Sequence, residues 1–302
     1  MTSSSLLDVI IIGGSYAGLS AAMALGRSMR KTLIIDHGQP CNRQTPHAHN
    51  FLTQDGQTPA AISTLAREQV ERYPTIRFCS DLAISGEKVA EGFEIHTQQG
   101  QTFKAKKLIF ASGIKDIMPD IKGFAACWGI SVIHCPYCHG YEYRGKKTGI
   151  MVGGDRAFHL ATLVANLTQD LSIICAGPAD FSETQMNRLQ KNQIKIIESR
   201  VTEIEHHNGH LKALVFDNGD KQVFDAVYAG VPFEQHTKIP LDLGCEYTDQ
   251  GYIQTDDFQK TNVPGIFACG DNASPLRAVA QAIAKGNMAG AIANSELAEE
   301  QF

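Results

Sequence analysis

Residues 8–18, Asp8-Val9-Ile10-Ile11-Ile12-Gly13-Gly14-Ser15-Tyr16-Ala17-Gly18, join a β-branched run to a cluster of glycines. The run is too uniformly apolar to leave either face in water, so Asp8–Ile12 reads as a buried strand. The glycines permit a tight turn, and the Ala/Leu-rich stretch Ala17–Arg27 reads as a helix. Thr32–Ile35 reads as the next strand and ends at Asp36. Strand, glycine turn, helix, strand and terminal acid make a βαβ unit of the dinucleotide-binding kind. Such a turn needs one glycine to bend, one to admit a pyrophosphate and one to let helix and strand pack closely. Gly13, Ser15 and Gly18 take those places, and serine is the smallest departure from a middle glycine. The helix N-terminus would then face the phosphates, and Asp36 would reach a ribose hydroxyl.

The pattern restarts further on. Lys147–Val152 reads as a strand, Gly153-Gly154-Asp155 as a turn, Arg156–Leu167 as a helix and Leu171–Cys175 as a strand. Short strands follow at Ile194–Ile197, Val201–Glu205, Leu211–Phe216 and Asp225–Tyr228. Two such starts predict an α/β fold of two doubly wound Rossmann-like domains. Ile62–Arg72 reads as an amphipathic helix, and Lys107–Phe110 as a buried strand closed by Ser112-Gly113. After Pro264 the chain reads Gly265-Ile266-Phe267-Ala268-Cys269-Gly270-Asp271, then a long Ala-rich helix from about Arg277. Ser3–Ser5 reads as a frayed terminus.

Composition narrows the classes. The chain has 302 residues, 43% of them hydrophobic, enough for two cores. The formal net charge is -5 and no basic block stands out, which argues against a nucleic-acid partner. No stretch reaches membrane-spanning length, and Val9–Ile12 is too short for a signal-peptide core, so a cytoplasmic protein is expected. There are 8 cysteines, at 41, 79, 127, 135, 138, 175, 245 and 269. With an ample core, reduced cysteines plus one redox pair fit better than a secreted disulfide framework.

That pair is Cys135-Pro136-Tyr137-Cys138, followed directly by His139. Two cysteines so spaced can close a reducible disulfide, and Pro136 stiffens the loop between them. The thiolate is the reactive form, and His139 can serve as general acid and base for it. Cys-x-x-Cys-His is also a haem-attachment pattern, which requires an export context. A zinc site using His134 and His139 would need an unusually clustered ligand set, so no metal is expected. Two buried structural cysteines are the bland alternative.

Taken with the opening βαβ, Asn50-Phe51-Leu52, Ala111-Ser112-Gly113, the CxxC and Gly270-Asp271 with Arg277, the chain resembles the low-molecular-weight thioredoxin reductase family along nearly its whole length. The resemblance implies a discontinuous FAD-binding domain, 1–114 and 246–302. It implies an inserted pyridine-nucleotide-type domain, 115–245, carrying the CxxC, and a homodimer. It places Gly13, Ser15, Gly18 and Asp36 on the ADP half of FAD, and Asn50, Gly270, Asp271 and Arg277 on the flavin side. Cys138 would lie against the flavin, with Cys135 as the outer thiol that exchanges with substrate.

Several residues depart from the family pattern. Val152 stands where the second turn should have its first glycine, though Gly154 and Ala157 remain. After Leu171–Cys175 the chain reads Ala176-Gly177-Pro178, with neither an arginine cluster for NADP nor an acid for NAD. His139 replaces an acid, and Ala278 a glutamine. These departures put NADPH binding in doubt. The stretch from Cys127-Trp128-Gly129 to Cys138-His139-Gly140-Tyr141-Glu142 is similar to the flavin-dependent dithiol oxidases of dithiolopyrrolone and epidithiodiketopiperazine pathways, the gliotoxin/holomycin type. That likeness implies a small-molecule dithiol as substrate and oxygen as acceptor. One alternative is a thioredoxin-reductase-like enzyme acting on a thioredoxin-like protein with NADPH or another donor such as ferredoxin. The other is a flavin redox sensor without turnover.

Four further features are singled out. His47 and His49 sit in a loop that the family places near the flavin, as substrate or proton contacts or as solvated loop residues. Cys41 is a third thiol or a plain loop cysteine. His206, His207 and His210 flank a hairpin tip at Asn208-Gly209. Phe158 and His159 follow the damaged turn and would fill a vacated nucleotide cleft.

Overall fold

The computed structural model describes residues 6–302, so the Ser3–Ser5 expectation lies outside it. The described chain divides into two compact units: residues 6–43, 51–115 and 233–302, and residues 44–50 and 116–232. Against the expected boundaries, the chain returns to the first unit at Phe233 rather than at 246, and segment 44–50 belongs with the second.

The first unit runs β1 (Leu7–Ile12), α1 (Tyr16–Arg27), β2 (Thr32–Ile35), α2 (Pro59–Glu71), β3 (Ile76–Cys79), β4 (Ala83–Val89), β5 (Gly92–Thr97), β6 (Thr102–Phe110) and β7 (Ile114–Asp116). The second runs α3 (Phe124–Cys127), β8 (Val132–Ile133), α4 (Pro136–His139), β9 (Thr148–Met151), α5 (Gly154–Val164), β10 (Leu171–Ile174), α6 (Glu183–Lys191) and β11 (Lys195–Ile197). It continues with β12 (Val201–His207), β13 (His210–Phe216), β14 (Lys221–Val223) and β15 (Ala226–Ala229). The chain then closes the first unit with β16 (Phe233–Gln235), α7 (Ile239–Asp242), β17 (Ile266–Ala268) and α8 (Val279–Glu299).

The first sheet has the order β3-β2-β1-β6-β5-β4, with β17 also on β6. The β1, β2, β3, β6 and β17 pairs are parallel, whereas β4–β5–β6 is an antiparallel meander. β1 is buried on both faces. Val9 and Ile11 join the helical layer of α1 and α8, and Ile10 and Ile12 face a second cluster with Phe93, Ile95 and Ile239. Each such side chain is worth roughly 1.5–3 kcal/mol on burial. Small residues let α8 lie on α1: a Cβ on Gly286 would fall 2.1 Å from the Ala17 carbonyl oxygen, and one on Gly290 would fall 2.4 Å from that of Ala21.

The second unit repeats the plan. Its parallel sheet has the order β11-β10-β9-β15-β8, with α5 against one face and the β12–β13–β14 meander against the other. The Asn208-Gly209 hairpin is as expected, with His207 opposite His210. Strands β12 and β13 fall where expected, whereas β4, β5 and β14 exceed the expected strand pattern, because these part-exposed strands lack a continuous apolar run. α8 begins at Val279, two residues past Arg277. Among the described residues, no helix is long and apolar enough to cross a membrane.

Candidate active site

In the first unit, β1 delivers the chain into the glycine turn and α1 leaves it. Gly13 has φ +107°, and a Cβ there would fall 2.3 Å from the Ala111 carbonyl oxygen. One on Gly18 would fall 1.9 Å from the oxygen of Gly13. Ser15 is the N-cap of α1, whose first turn carries no acid. Asp36 follows β2 beside the turn, since a Cβ on Gly14 would come within 2.8 Å of the Asp36 Cβ. Asp36 and His37 line a cleft of about 280 Å³ whose far wall is Ser80, Asp81, Leu82 and Gln99. Asp81 pins that wall by accepting the Leu82 and Gln99 N–H groups at 2.7 and 3.2 Å. Sequence reasoning missed this wall. It follows β3, which lies next to β2 only through sheet pairing.

Past β17, Gly270 has φ +86° and a Cβ there would come within 3.0 Å of the Ala17 Cβ. Arg277 Nε lies 3.8 Å from Asp271 Oδ2, and the Cys41 Sγ lies 3.9 Å from the same oxygen. The amide of buried Asn272 donates to the Phe110 carbonyl at 2.9 Å, tying this segment to the end of β6. Gly13, Ser15, Gly18, Asp36, Gly270, Asp271 and Arg277 thus lie in one unit. Asn50 lies in the other, with Cys135, Cys138 and His139.

In the second unit, β8 leads through His134 to Cys135, the N-cap of α4. Pro136 occupies the first helical turn, where its missing N–H costs nothing. Cys135 and Cys138 form a disulfide, their Cα atoms 5.3 Å apart. The Cys138 N–H donates to the Cys135 Sγ at 3.1 Å. Gly140 must be glycine: a Cβ there would fall 2.4 Å from the Pro136 carbonyl oxygen and 2.9 Å from the Tyr228 hydroxyl. Trp128 braces the approach. It stacks between Phe124 and His134 at 5.7 and 5.8 Å, and its Nε1–H donates to Asp116 at 3.1 Å.

The groups beside the disulfide differ in electrostatics. Burial, and then the neighbouring His49, push His139 down to about 4, so its ring is neutral at neutral pH. His49 Nε2 lies 3.5 Å from Glu142 Oε1. Tyr137 and Tyr141 are exposed, and the Arg144 guanidinium lies 4.0 Å over the Tyr141 ring.

The second glycine turn differs from the first. Val152 packs into the core on the α5 side of the sheet, as does Phe158, which lies 5.0 Å beneath the Arg188 guanidinium. His159 is exposed. Gly153 and Gly154 have open space where a Cβ would point. Across the carboxyl ends of β9 and β15, a Cβ on Gly230 would fall 2.4 Å from Arg156 Cζ, so that guanidinium covers the Gly230 backbone. Arg156 was not singled out from the sequence, where it reads as an ordinary surface helix residue.

Known proteins are similar to this chain over nearly its whole length. The chain is 31% identical to thioredoxin reductase tcpT of Claviceps purpurea over 308 residues, covering 98% of this chain and 96% of the relative. It is 31% identical to thioredoxin reductase sirT of Leptosphaeria maculans over 316 residues, covering 97% and 95%. The crystal structure of an oxidoreductase from Agrobacterium tumefaciens matches with a TM-score of 0.91 at 35% identity, covering 97% and 99%. The family model described as pyridine nucleotide-disulphide oxidoreductase matches residues 7–286. With the paired sheets, the glycine turn and the Cys135–Cys138 disulfide, these matches make the chain a member of the pyridine nucleotide-disulphide oxidoreductase family, a thioredoxin reductase-like FAD-dependent disulfide oxidoreductase.

Proposed function

We propose that this protein oxidises a dithiol to a disulfide through Cys135 and Cys138, with FAD as cofactor, oxygen as final acceptor and no nicotinamide donor. The substrate is a small-molecule dithiol, and the enzyme works as a cytoplasmic homodimer. FAD fits the first unit. At Gly13 and Gly18 a Cβ would strike backbone oxygens, so only a bare backbone fits the turn at the start of α1. Gly13, Ser15, Gly18 and Asp36, with the Ser80–Leu82 wall, hold the ADP half, and Gly270, Asp271 and Arg277 of the same unit serve the flavin side. A flavin held by these residues would supply a two-electron acceptor for the reduced cysteine pair that oxygen can regenerate.

The remaining steps belong to the second unit. One substrate thiol attacks Cys135, and Cys138 leaves as a thiolate next to neutral His139. The second thiol then attacks the substrate sulfur of the mixed disulfide and releases Cys135. The Cys138 N–H that points at the Cys135 Sγ favours the anion left there.

The observation that carries the reading is the Arg156 guanidinium over Gly230. In a doubly wound sheet a dinucleotide crosses the crevice at the carboxyl ends of the strands, and here that crevice holds a side chain. Val152 at the turn and the uncharged Cys175–Pro178 stretch point the same way. A second reading, reduction of a protein disulfide with NADPH, is favoured by the relatives' names and by the open space at Gly153 and Gly154. Anaerobic mixing of the purified protein with NADPH separates the two. Fast loss of flavin absorbance sinks the oxidase reading. No loss with NADPH or NADH, but loss with a dithiol and recovery in air, supports it.

A further inference from the structure

Three ionisable side chains, one of them from a distant segment, form a chain of neighbours that starts at the residue after Cys138. His139 follows Cys138 directly, and Glu142 lies in the turn just after α4. His49 comes from segment 44–50, which the fold groups with this unit and which is tied to it by Gln44 Nε2 donating to the Trp128 carbonyl. His49 Nε2 is 3.5 Å from Glu142 Oε1, and the His49 side chain is only 21% exposed. Its charge is also felt by His139.

These groups are unequal as proton acceptors. A thiol has an ordinary pKa of about 8.5, and burial makes the His139 ring a weak base against it. A carboxylate beside an imidazole fixes its tautomer and stabilises the imidazolium formed when the ring takes a proton. With the proton of the neutral ring on Nε2, facing Glu142, basicity resides on Nδ1.

We propose that His49, oriented by Glu142, is the base that takes the proton from the attacking substrate thiol, with Glu142 as its positioning residue. This rests on the reading of Cys135 and Cys138 as the dithiol-oxidising centre. In the first step a bond forms between the substrate sulfur and Cys135 and the Cys135–Cys138 bond breaks. The electron pair stays on Cys138, and the thiol proton goes to His49. The second substrate thiol then closes the substrate disulfide and leaves the pair on Cys135, its own proton passing by the same route. The dithiol is oxidised by two electrons, the enzyme disulfide is reduced by two, and two protons are released. The titratable groups facing His49 include Glu142 and His139 from α4 and the turn after it, and His47 on its own segment, whose ring centre is 6.3 Å away.

The test is a single turnover of the flavoprotein with dithiothreitol without oxygen. The reaction is quenched in acid, and oxidised dithiothreitol is measured across the pH range. His49→Gln is expected to slow the step about 100-fold near neutral pH. That deficit should vanish at high pH, where the substrate thiolate is already formed and needs no base. Glu142→Gln should lower the rate near neutral pH by a smaller factor, and that deficit too should vanish at high pH, a pattern that loss of fold would not produce. A His49→Gln rate within threefold of the parent at neutral pH, or a deficit equal at every pH, overturns the proposal. Failure of the parent protein itself to form oxidised dithiothreitol overturns the underlying reading as well.

Discussion

The Arg156 guanidinium lies over the backbone of Gly230, so that a Cβ at position 230 would fall 2.4 Å from its central carbon. The contact spans the crevice between β9 and β15, and it makes nucleotide exclusion testable from both directions. Arg156→Ser combined with Val152→Gly clears the crevice and relaxes the turn. The double variant is expected to bind NADPH at least about tenfold more tightly than the parent, or ~1.4 kcal/mol. Titration followed by nucleotide fluorescence measures this. Equal affinity in both proteins would mean that Arg156 excludes nothing.

The two turns also differ in what their glycines must do. Gly18→Ala places a Cβ 1.9 Å from the Gly13 oxygen, a backbone atom that cannot rotate away. It is expected to cost about 1–3 kcal/mol and to leave the purified protein poor in flavin. Gly286→Ala meets the Ala17 oxygen at 2.1 Å and should destabilise similarly by parting α8 from α1. Gly153→Ala meets nothing and should leave the stability unchanged within about 0.5 kcal/mol. Thermal melts and the ratio of flavin to protein absorbance check all three.

The βαβ starts were legible because their signals are local. A run of isoleucines, a glycine turn and an acid at the strand tip all fall within residues 8–36. The Cys135–Cys138 pair was legible for the same reason. What stayed hidden depends on sheet order and long loops. Asp81 reaches the Asp36 cleft only because β3 pairs with β2. His49 and Glu142 are 93 positions apart (142 − 49) and share no motif. Helix α6 is a different case. Ser182 and Gln185 form a capping box, so Ser-x-x-Gln before this helix was a usable signal that the strand pattern overshadowed.

A charge network fastens α8 to the sheet. Lys107, 3% exposed, donates to Glu296 at 2.7 Å and Glu300 at 2.8 Å, and Lys260 reaches Glu296 at 2.8 Å. Burial alone would raise the Glu296 carboxyl, but hydrogen bonds from Lys107 and Lys260 outweigh it and hold the group below its ordinary 4.5. A carboxyl depressed in the folded state adds stability that is complete above its unfolded pKa and disappears as pH falls through the folded value. Glu296→Gln is expected to cost about 1–3 kcal/mol at neutral pH, since Lys107 is left buried with one partner fewer. The gap between parent and variant should narrow as pH falls below about 4.5. Denaturant midpoints at several pH values check this, and a gap independent of pH would rule the network out as its source.

The two redox cysteines should differ in reactivity once reduced. The Cys138 N–H already points at the Cys135 Sγ at 3.1 Å, and a thiolate there gains a charge-assisted hydrogen bond. A helix N-cap position further favours the anion. Burial, by contrast, raises the Cys127 and Cys245 thiols and lifts Cys269 to about 12, which leaves them unreactive. After reduction by one equivalent of dithiol without oxygen, iodoacetamide is therefore expected to label Cys135 about tenfold faster than Cys138 at neutral pH. Cys41, exposed in the first unit, should be labelled as a separate site. Peptide mapping by mass spectrometry reads each site. Faster labelling of Cys138 would reverse the assignment, making it the thiol that meets substrate and Cys135 the inner partner.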